Sequence, residues 1–331
     1  MNLNTKIKNV ILLFATVGCI TACNDAQHAS EKKVTPAYAY ITNQGDHTVS
    51  VINTQNNQVA STLKVGMSPV GVAVSGKTGR AYISNIDSKS ISIINTRSNQ
   101  IIKTLNINGS PVGIAISNDG NTLYAADWFD NRVFAIETFA PHSTRELKVG
   151  NAPAGMIVSP DNKWLYIANR DSDDIAVIDT KTLSIKRRIA VGKHPFGLAL
   201  SRNGVLLVSV NVKEDTVSLI NTNSWQQQKI KVGYHPYCAA ITQDNKTLYV
   251  TNTQDDNVSV IDLVNKKTVA TIDVGSTPEG ISIDDANHRA YVANWGSNNV
   301  SVIDTKTNKL IFTINTGDKS RAFGVFTLNV E

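Results

Sequence analysis

His194, His235 and Cys238 are the residues whose types and spacing best suit binding of a metal or a haem. Each histidine directly precedes a proline, and the cysteine follows His235 closely. Imidazole nitrogens and thiolates are ligands of soft metals and of haem iron. Alternatively, the position before the proline simply tolerates small or polar residues; we favour this interpretation and predict no metal and no cofactor. In other copies of the motif that position holds Ser68, Ser110, Ala152 or Thr277.

Candidate catalytic residues are few. The sequence has no G-x-S-x-G elbow, no H-E-x-x-H motif and no P-loop. Cys238 has no basic partner that can be assigned, so we expect a buried and inert thiol. Glu279 is the only carboxylate directly after a motif proline, and the alternative for it is a solvated loop position. The sequence therefore indicates no catalytic residue.

Acidic and glycine-rich loops are open to a binding interpretation and a structural one. Asp171–Asp174 and Asp255–Asp256 would suit calcium, but they lack the EF-hand spacing and are more typical of solvated turns. The glycines recur throughout the chain and precede strand-like segments, so they predict turns rather than phosphate-binding loops.

Three ladders of residues recur with a period of about 42. The repeat tyrosines are Tyr40, Tyr82, Tyr124, Tyr166, Tyr249 and Tyr291, with Val208 at the same position of another copy. The repeat asparagines follow three residues later, at Asn43, Asn85, Asn169, Asn211, Asn252 and Asn294, with Asp127 in the remaining copy. The repeat prolines are Pro69, Pro111, Pro153, Pro195, Pro236 and Pro278. Such a period indicates a repeat architecture.

Each repeat contains four short apolar runs separated by turn residues. One set is 164–169, 174–179, 184–191 and 196–201. Runs of this length, rich in β-branched residues, predict antiparallel strands, and four strands per repeat predict a propeller blade. Aspartate or asparagine at the end of the third run fits the first position of a turn, where its side chain binds backbone amides. These residues are Asn53, Asn95, Asp179, Asn221, Asp262 and Asp304.

The segment Tyr249–Asn252 reads YVTN, and Tyr40–Asn43 differs from it at one position. Together with the Gly-x-x-Pro-x-Gly loop at Gly66–Gly71, these motifs resemble the YVTN-family β-propeller repeat, over residues 37–331. The resemblance implies an extracytoplasmic propeller. Propellers similar in fold include lactone hydrolases and the haem d1 domain of nitrite reductase, whose activities the repeat motif does not carry over.

The chain begins and ends inside a repeat. Residues 37–66 supply three strands, and 322–330 resemble a single innermost strand. Pairing the two gives an all-β, seven-bladed propeller with four antiparallel strands per blade, closed by the C-terminal strand. Ala322-Phe323-Gly324 stands in for Pro-x-Gly, two residues late, which predicts an insertion before it in the closing loop.

The N-terminus has the features of an export signal. Lys6 and Lys8 precede an apolar run that is short for a bilayer span, and Ile20–Cys23 resembles a bacterial lipobox. We predict a signal peptide at 1–22, lipidation of Cys23, a flexible tether at 23–36 and the propeller at 37–331. By resemblance to lipoprotein sorting rules, Asn24 favours the outer membrane, facing the periplasm or the cell surface. Without the leader, bases and acids nearly balance, which argues against a nucleic-acid partner.

We expect a ligand to bind the face that carries the repeat prolines. Residues directly after these prolines should point to the axis: Val70, Val112, Ala154, Phe196, Tyr237, Glu279 and, by the shifted register, Phe323. Predicted ligand-binding residues are His194, Phe196, His235, Tyr237, Glu279, Lys193, Tyr234, Arg170, Trp128 and Trp295. The alternative is that the axial side chains merely fill the centre, and that Trp128, Phe129 and Trp295 pack over the blade tops.

These observations favour a non-enzymatic binding or scaffold lipoprotein of the cell envelope. Its expected partner is an envelope protein or a small polar ligand, and we expect a monomer. The competing class is a periplasmic enzyme, either a lactonase-like hydrolase or a haem or metal oxidoreductase. Binding of nucleic acid or another polyanion is the third and weakest alternative.

Overall fold

The computed structural model describes residues 37–141 and 143–328, which form seven four-stranded antiparallel sheets. These sheets are the blades of a seven-bladed propeller, as the repeats predict. The signal peptide, Cys23 and the tether lie outside the described residues. Within the described part of the chain, no helix has the length and apolarity needed to cross a bilayer.

Six innermost strands begin at the repeat prolines: β4 (Pro69–Ser75), β8 (Pro111–Ile116), β12 (Pro153–Val158), β16 (Pro195–Leu200), β20 (Pro236–Ile241) and β24 (Pro278–Asp284). The second strands end at the repeat asparagines: β1 (Tyr38–Asn43), β5 (Arg80–Asn85), β9 (Thr122–Asp127), β13 (Trp164–Asn169), β17 (Leu206–Asn211), β21 (Thr247–Asn252) and β25 (Arg289–Asn294).

The third strands are β2 (Thr48–Asn53), β6 (Ser90–Asn95), β10 (Arg132–Glu137), β14 (Asp174–Asp179), β18 (Thr216–Asn221), β22 (Asn257–Asp262) and β26 (Asn299–Asp304). The outermost strands are β3 (Gln58–Lys64), β7 (Gln100–Asn106), β11 (Thr144–Lys148), β15 (Ser184–Ala190), β19 (Gln227–Lys231), β23 (Lys267–Asp273) and β27 (Lys309–Asn315). A single 3-10 turn, η1 (Arg170–Ser172), follows β13, and β28 (Ser320–Arg321) ends the series. We number the blades 1 to 7 in this order, with β1 to β3 in blade 1.

The two faces of the ring carry different connections. The proline face holds the loops that lead into the innermost strands and the turns after the repeat asparagines. The opposite face holds the other two turns of each blade, including the one after each third strand. There, the predicted Asn and Asp residues accept backbone N–H groups; for example, Asp304 Oδ1 accepts from Lys306 and Thr307.

The repeat tyrosines join neighbouring blades. Tyr40, Tyr249 and Tyr291 are fully buried, and the hydroxyl of each reaches a turn of the next blade on the opposite face. The acceptors are Asn99 Oδ1 at 2.9 Å for Tyr40, Asn308 Oδ1 at 2.6 Å for Tyr249 and Asn57 Oδ1 at 3.0 Å for Tyr291. The ring therefore buries a large apolar side chain between blades while satisfying its polar end.

The repeat asparagines join the strands within a blade. Asn211 Nδ2 donates to Thr216 and Ser218 on β18, at 3.0 Å each, and its Oδ1 accepts from the N–H of Gly192 at 3.1 Å. An amide supplies both donors and acceptors at this buried position, which explains why the type recurs. Blade 3 is the exception, because its Asp127 binds Arg132 instead.

The turn after each repeat asparagine also binds the next blade. Asp173 and Asp215 adopt left-handed backbone conformations and accept the backbone N–H groups of His194 and His235, at 2.8 and 2.9 Å. Lys89 holds this turn position in blade 2, and its side chain has no acceptor atom. The N–H of Ser110 therefore donates to Asp127 at 3.1 Å. The structure thus gives the acidic loops a role as backbone acceptors between blades.

The repeat glycines serve close packing rather than the turn geometry that the sequence suggested. A glycine lies two residues after five of the six repeat prolines, and none of these five has a positive φ. A Cβ placed on Gly113 would collide with the backbone oxygen of Ala154 in the next blade. Innermost strands therefore approach one another too closely for a side chain at this position. Cys238, which replaces the glycine after Pro236, likewise has no positive φ.

The ring closes in blade 1, where β28 pairs with β1. Ser320 pairs with Asn43, just as each repeat proline pairs with its repeat asparagine, for example Pro69 with Asn85. The register predicted for Ala322-Phe323-Gly324 is therefore wrong: Ser320 takes the proline position, and the insertion follows it. After the bulge at 322–325, pairing resumes, with Tyr40 N donating to Phe326 O at 3.0 Å.

Candidate functional site

Aromatic side chains converge on the axis at the proline face. The rings of Phe196 and Tyr237, from adjacent blades, have centroids 4.2 Å apart. Phe323 from the closing bulge lies 5.0 Å from Phe196 and 5.6 Å from Tyr237. Trp128 joins the cluster at 6.2 Å from Phe196. Phe196 and Phe323 are buried, while Tyr237 and Trp128 are half-buried, so the cluster both fills the axis and presents a surface.

Because Ser320 takes the proline position, the residue after it is Arg321 rather than Phe323. Arg321 binds Glu279, the equivalent residue of blade 7, through Nε and Nη2 with two distances of 2.6 Å. Its Nη1 donates to Gln44 Oε1 at 2.9 Å. Burial lowers the pKa of Arg321, but the Glu279 carboxylate outweighs this and the net shift is upward. Glu279 is thus a buried, paired carboxylate and not a solvated loop residue.

The two histidines lie on the rim of the aromatic cluster. His235 is stacked near Tyr237, with centroids 6.4 Å apart, and its Nδ1 lies 2.9 Å from Thr253 Oγ1. His194 has a buried Nδ1 without a hydrogen-bond partner. Burial lowers the pKa of His194, and the charges of Arg170 and Lys213 lower it further, which favours the neutral imidazole.

The other candidates occupy the same face but not one site. Arg170 lies over the ring of Trp128 at 5.7 Å, and Lys193 lies 3.8 Å from Asp173. Tyr234 is 61% exposed. Trp295 instead packs under Lys319, at 5.7 Å, in blade 7. The structure therefore brings Trp128, Arg170 and Tyr237 into one arc around Phe196, and it gives Trp295 separate contacts.

A cavity of about 190 Å³ lies on the axis, and its walls come from the innermost strands. Phe196 and Phe323 bound it towards the proline face. Leu200 and Ile241 line it at the far ends of β16 and β20, and Asp285 lines it just after β24. Cys238 also borders the cavity, and burial raises the pKa of its thiol. The thiol is therefore protonated near neutral pH and a poor nucleophile.

His194, His235 and Cys238 are the residues that the sequence offers to a metal or a haem. No group of three or more His, Cys, Asp or Glu side chains within 37–141 and 143–328 is arranged to hold a metal ion. Phe196, Tyr237 and Phe323 occupy the axis at the proline face with rings in mutual contact. The residues present do not fit a haem on the axis.

Two family models match parts of the chain. Residues 130–233 match a seven-bladed β-propeller lactonase model, and residues 201–322 match a cytochrome D1 heme domain model. Each match spans less than half of the chain, and both describe propellers. Among curated proteins, no relative matches. The matches therefore support the propeller class without deciding an activity.

Solved structures share the architecture at low identity. A hydrazine synthase from Kuenenia stuttgartiensis is 22% identical with a TM-score of 0.70, over 84% of this chain and 98% of that one. A functionally unknown protein from Desulfotomaculum acetoxidans is 12% identical with a TM-score of 0.74, over 87% and 99%. Dihydro-heme d1 dehydrogenase in complex with DHE is 13% identical with a TM-score of 0.65, over 85% and 64%. Identities this low show the fold alone.

Proposed function

We propose that this protein is a non-enzymatic binding lipoprotein of the cell envelope, which holds a protein loop or a small polar ligand on its proline face. The observation that supports this most is the arc of Trp128, Arg170 and Tyr237 around Phe196. A half-buried aromatic surface beside a guanidinium offers stacking area and hydrogen-bond donors together.

His194 and His235 add polar atoms at the edge of this surface. The Nδ1 of His194 is buried without a partner, and a buried polar atom left unpaired is costly unless something satisfies it. A ligand donor directed at this nitrogen would remove that cost. Tyr234 and Phe129, which are 61% and 71% exposed, extend the contact area outward.

The charged groups nearest the axis favour binding over hydrolysis. Glu279 and Arg321 neutralise each other through a bidentate pair, and Gln44 takes a further donor of Arg321. A general base or an oxyanion-binding cation needs free hydrogen-bonding capacity, which this pair has largely spent. Cys238 is a protonated thiol with no basic partner.

The proposed location rests on the N-terminal motif. Lipid on Cys23 would anchor the chain, with Asn24 directing it to the outer membrane, and the propeller would act in the periplasm or at the cell surface. We propose a monomer for the unliganded protein.

The binding proposal is tested by crosslinking pull-downs from native envelopes with Arg170→Ala/His194→Ala. Both side chains are half-buried, so the melting temperature should change little. The matched control is Lys163→Ala/Lys246→Ala on the opposite face. Partners captured by the wild type and the control but lost from the rim variant are expected. Loss of the captured partners from the control variant alone would show that they bind the opposite face and not the proline face.

The enzymatic alternative is supported by the partial matches to lactonase and cytochrome D1 heme domain models. These matches overlap the blades that carry Arg170, Phe196 and Tyr237. Natively purified protein should show no haem absorption, no stoichiometric metal and no hydrolysis of simple lactones. Any one of these signals would replace the binding proposal with an enzymatic one. Palmitate labelling that is lost in Cys23→Ser tests the anchor separately.

A further inference from the structure

Exposed apolar side chains lie along one part of the outer edge of the ring, at the opposite face. They occupy the turn after a third strand or the first half of an outermost strand, in blades 6, 7, 1, 2 and 3. We call them the apolar arc: Val264, Val269, Leu310, Ile311, Phe312, Val59, Ile101, Ile102 and Phe139. Each is at least 37% exposed.

The apolar arc differs from the rest of the outer edge. In β27 the consecutive residues Leu310, Ile311 and Phe312 are all exposed, with no charge among them. The corresponding residues of β15 are Ile185, Lys186 and Arg187, so two of the three are charged. Charged side chains normally protect an edge strand from other chains, and a contiguous exposed apolar patch marks a contact surface. Blade 4 has such protection, and blade 7 lacks it.

The point where the chain enters blade 1 indicates what covers the apolar arc. Ala37 enters on the opposite face of blade 1, where its carbonyl oxygen accepts the N–H of Thr54 at 3.0 Å. Blade 1 is the middle blade of the five that form the apolar arc. Thirteen residues separate Ala37 from Cys23, a span of at most about 45 Å when extended. A lipid on Cys23 would therefore limit the distance between a bilayer and the opposite face of blade 1 to about 45 Å.

Lysines surround the most apolar part of the arc. Lys266 and Lys267 lie beside Val264, and Lys306 and Lys309 lie beside Leu310; all four are exposed. The two acids at the same turns, Asp262 and Asp304, accept backbone N–H groups of their own turns. An apolar patch edged by lysines matches the boundary between acyl chains and anionic headgroups.

We propose that the apolar arc is a membrane-contact surface, which inserts into the headgroup region of an anionic phospholipid bilayer. Contact at this edge leaves the proline face accessible to ligands. The inference adds a second, weak membrane attachment to the lipid on Cys23 proposed above. Two attachments together fix the orientation of the ring, whereas a lipid on a tether alone does not.

The test uses a chain that starts at Asn24, so that no lipid contributes. It retains the whole compact unit Thr35–Glu331. Co-sedimentation is measured with vesicles of phosphatidylglycerol and phosphatidylethanolamine, and with vesicles of phosphatidylcholine alone. The arc variant is Ile311→Gln/Phe312→Gln. The matched control is Phe129→Gln/Tyr234→Gln, two exposed aromatics on the proline face.

We expect the wild type and the control to bind the anionic vesicles, and the partition coefficient of the arc variant to fall about tenfold or more. Phosphatidylcholine vesicles should bind the wild type less. If the arc variant melts below the wild type, Lys306→Glu/Lys309→Glu replaces it and should show the same loss.

Equal partitioning of wild type and both variants would overturn the proposal, as would a wild type that stays in solution with both kinds of vesicle. A wild-type dimer in sedimentation velocity that the arc variant converts to a monomer would show instead that the apolar arc joins two copies. None of these results depends on whether Cys23 carries lipid, so a failed anchor and a failed contact surface remain distinguishable.

Discussion

Glu279 and Arg321 occupy the same repeat position in neighbouring blades, and their side chains form a bidentate ion pair across the seam where the ring closes. The Glu279 side chain is 9% exposed and that of Arg321 is 15% exposed. Arg321 also lies over the ring of Phe323, at 4.9 Å from its centroid. The seam is therefore held at the axis by a buried charge pair as well as by strand pairing.

Removing one member of this pair should destabilise the protein strongly. Arg321→Met leaves the Glu279 carboxylate buried without its partner, and we expect a loss of about 3 kcal/mol in the free energy of unfolding, measured in urea. The double variant Glu279→Gln/Arg321→Met should recover most of that loss, because no buried charge remains.

The control is Arg188→Met, which breaks the more exposed pair with Asp174. Its cost should stay below about 1 kcal/mol. Equal losses for Arg188→Met and Arg321→Met would mean that burial of the seam pair contributes nothing special.

Blade 3 carries a coupled exception that makes a second prediction. Asp127 is buried, Arg132 Nε donates to it at 3.0 Å, and Arg132 lies over Phe134 at 4.7 Å. Blades 1, 2 and 5 place hydroxyl side chains at both equivalent positions, such as Thr216 and Ser218 beside Asn211. Arg132→Thr alone should cost about 3 kcal/mol, because it leaves a buried carboxylate unpaired.

The triple variant Asp127→Asn/Arg132→Thr/Phe134→Ser restores the pattern of blade 5. Its stability should exceed that of Arg132→Thr, even though it has more substitutions, because the amide regains its two hydroxyl acceptors. A triple variant less stable than the single one would show that these three positions do not act as a unit.

The fold could be predicted because each blade repeats its own markers. The tyrosine, asparagine and proline ladders fix the period. The tyrosines fill the space between blades, and the asparagines bind neighbouring strands within a blade, so both residue types recur. The closing register could not be read correctly, because Ala322-Phe323-Gly324 imitates the Pro-x-Gly motif. The spacing from Gly317 to Ser320 matches that from Gly66 to Pro69 and would have given the right alignment.

That misalignment concealed the most buried charge pair at the candidate site. With Phe323 placed after the proline position, Glu279 had no visible partner, whereas the correct register puts Arg321 in the adjacent blade. The sequence predicts that Trp128, Arg170, Phe196 and Tyr237 share the proline face. Which rings fill the axis and which remain accessible depends on side-chain size and on the bulge at 322–325, and a repeat pattern does not encode either.

Buried tyrosines predict how the ring responds to alkaline pH. Burial raises the pKa of Tyr124, Tyr166 and Tyr291 from 10.0 to about 12. Because the folded pKa exceeds the unfolded value, the stabilisation is complete below pH 10 and is lost as pH rises towards 12. Tyrosinate absorbance from these residues should therefore appear together with the loss of β-sheet circular dichroism. Full ionisation in a protein that retains its sheet signal would contradict this account.

The last prediction concerns the chain after β28, which continues along β1 at the inner edge of blade 1. Deleting residues 322–331 removes the bonds from Tyr40 N to Phe326 O and from Leu328 N to Tyr38 O, at 3.0 and 2.8 Å. It also removes the fully buried Phe326 from the core shared by both blades.

Phe326→Ala alone should cost about 3–5 kcal/mol, since a buried phenyl ring leaves a cavity that a β-sheet cannot easily collapse. The deletion adds an exposed strand edge, so we expect its melting temperature to fall by about 10 °C or more and its aggregation to increase. Val325→Ala is the matched control, because Val325 lies in the same segment but is 51% exposed. It should melt close to the wild type. A deletion variant that also melts within a few degrees of the wild type would show that the contacts of residues 322–328 with blade 1 do not hold the ring closed.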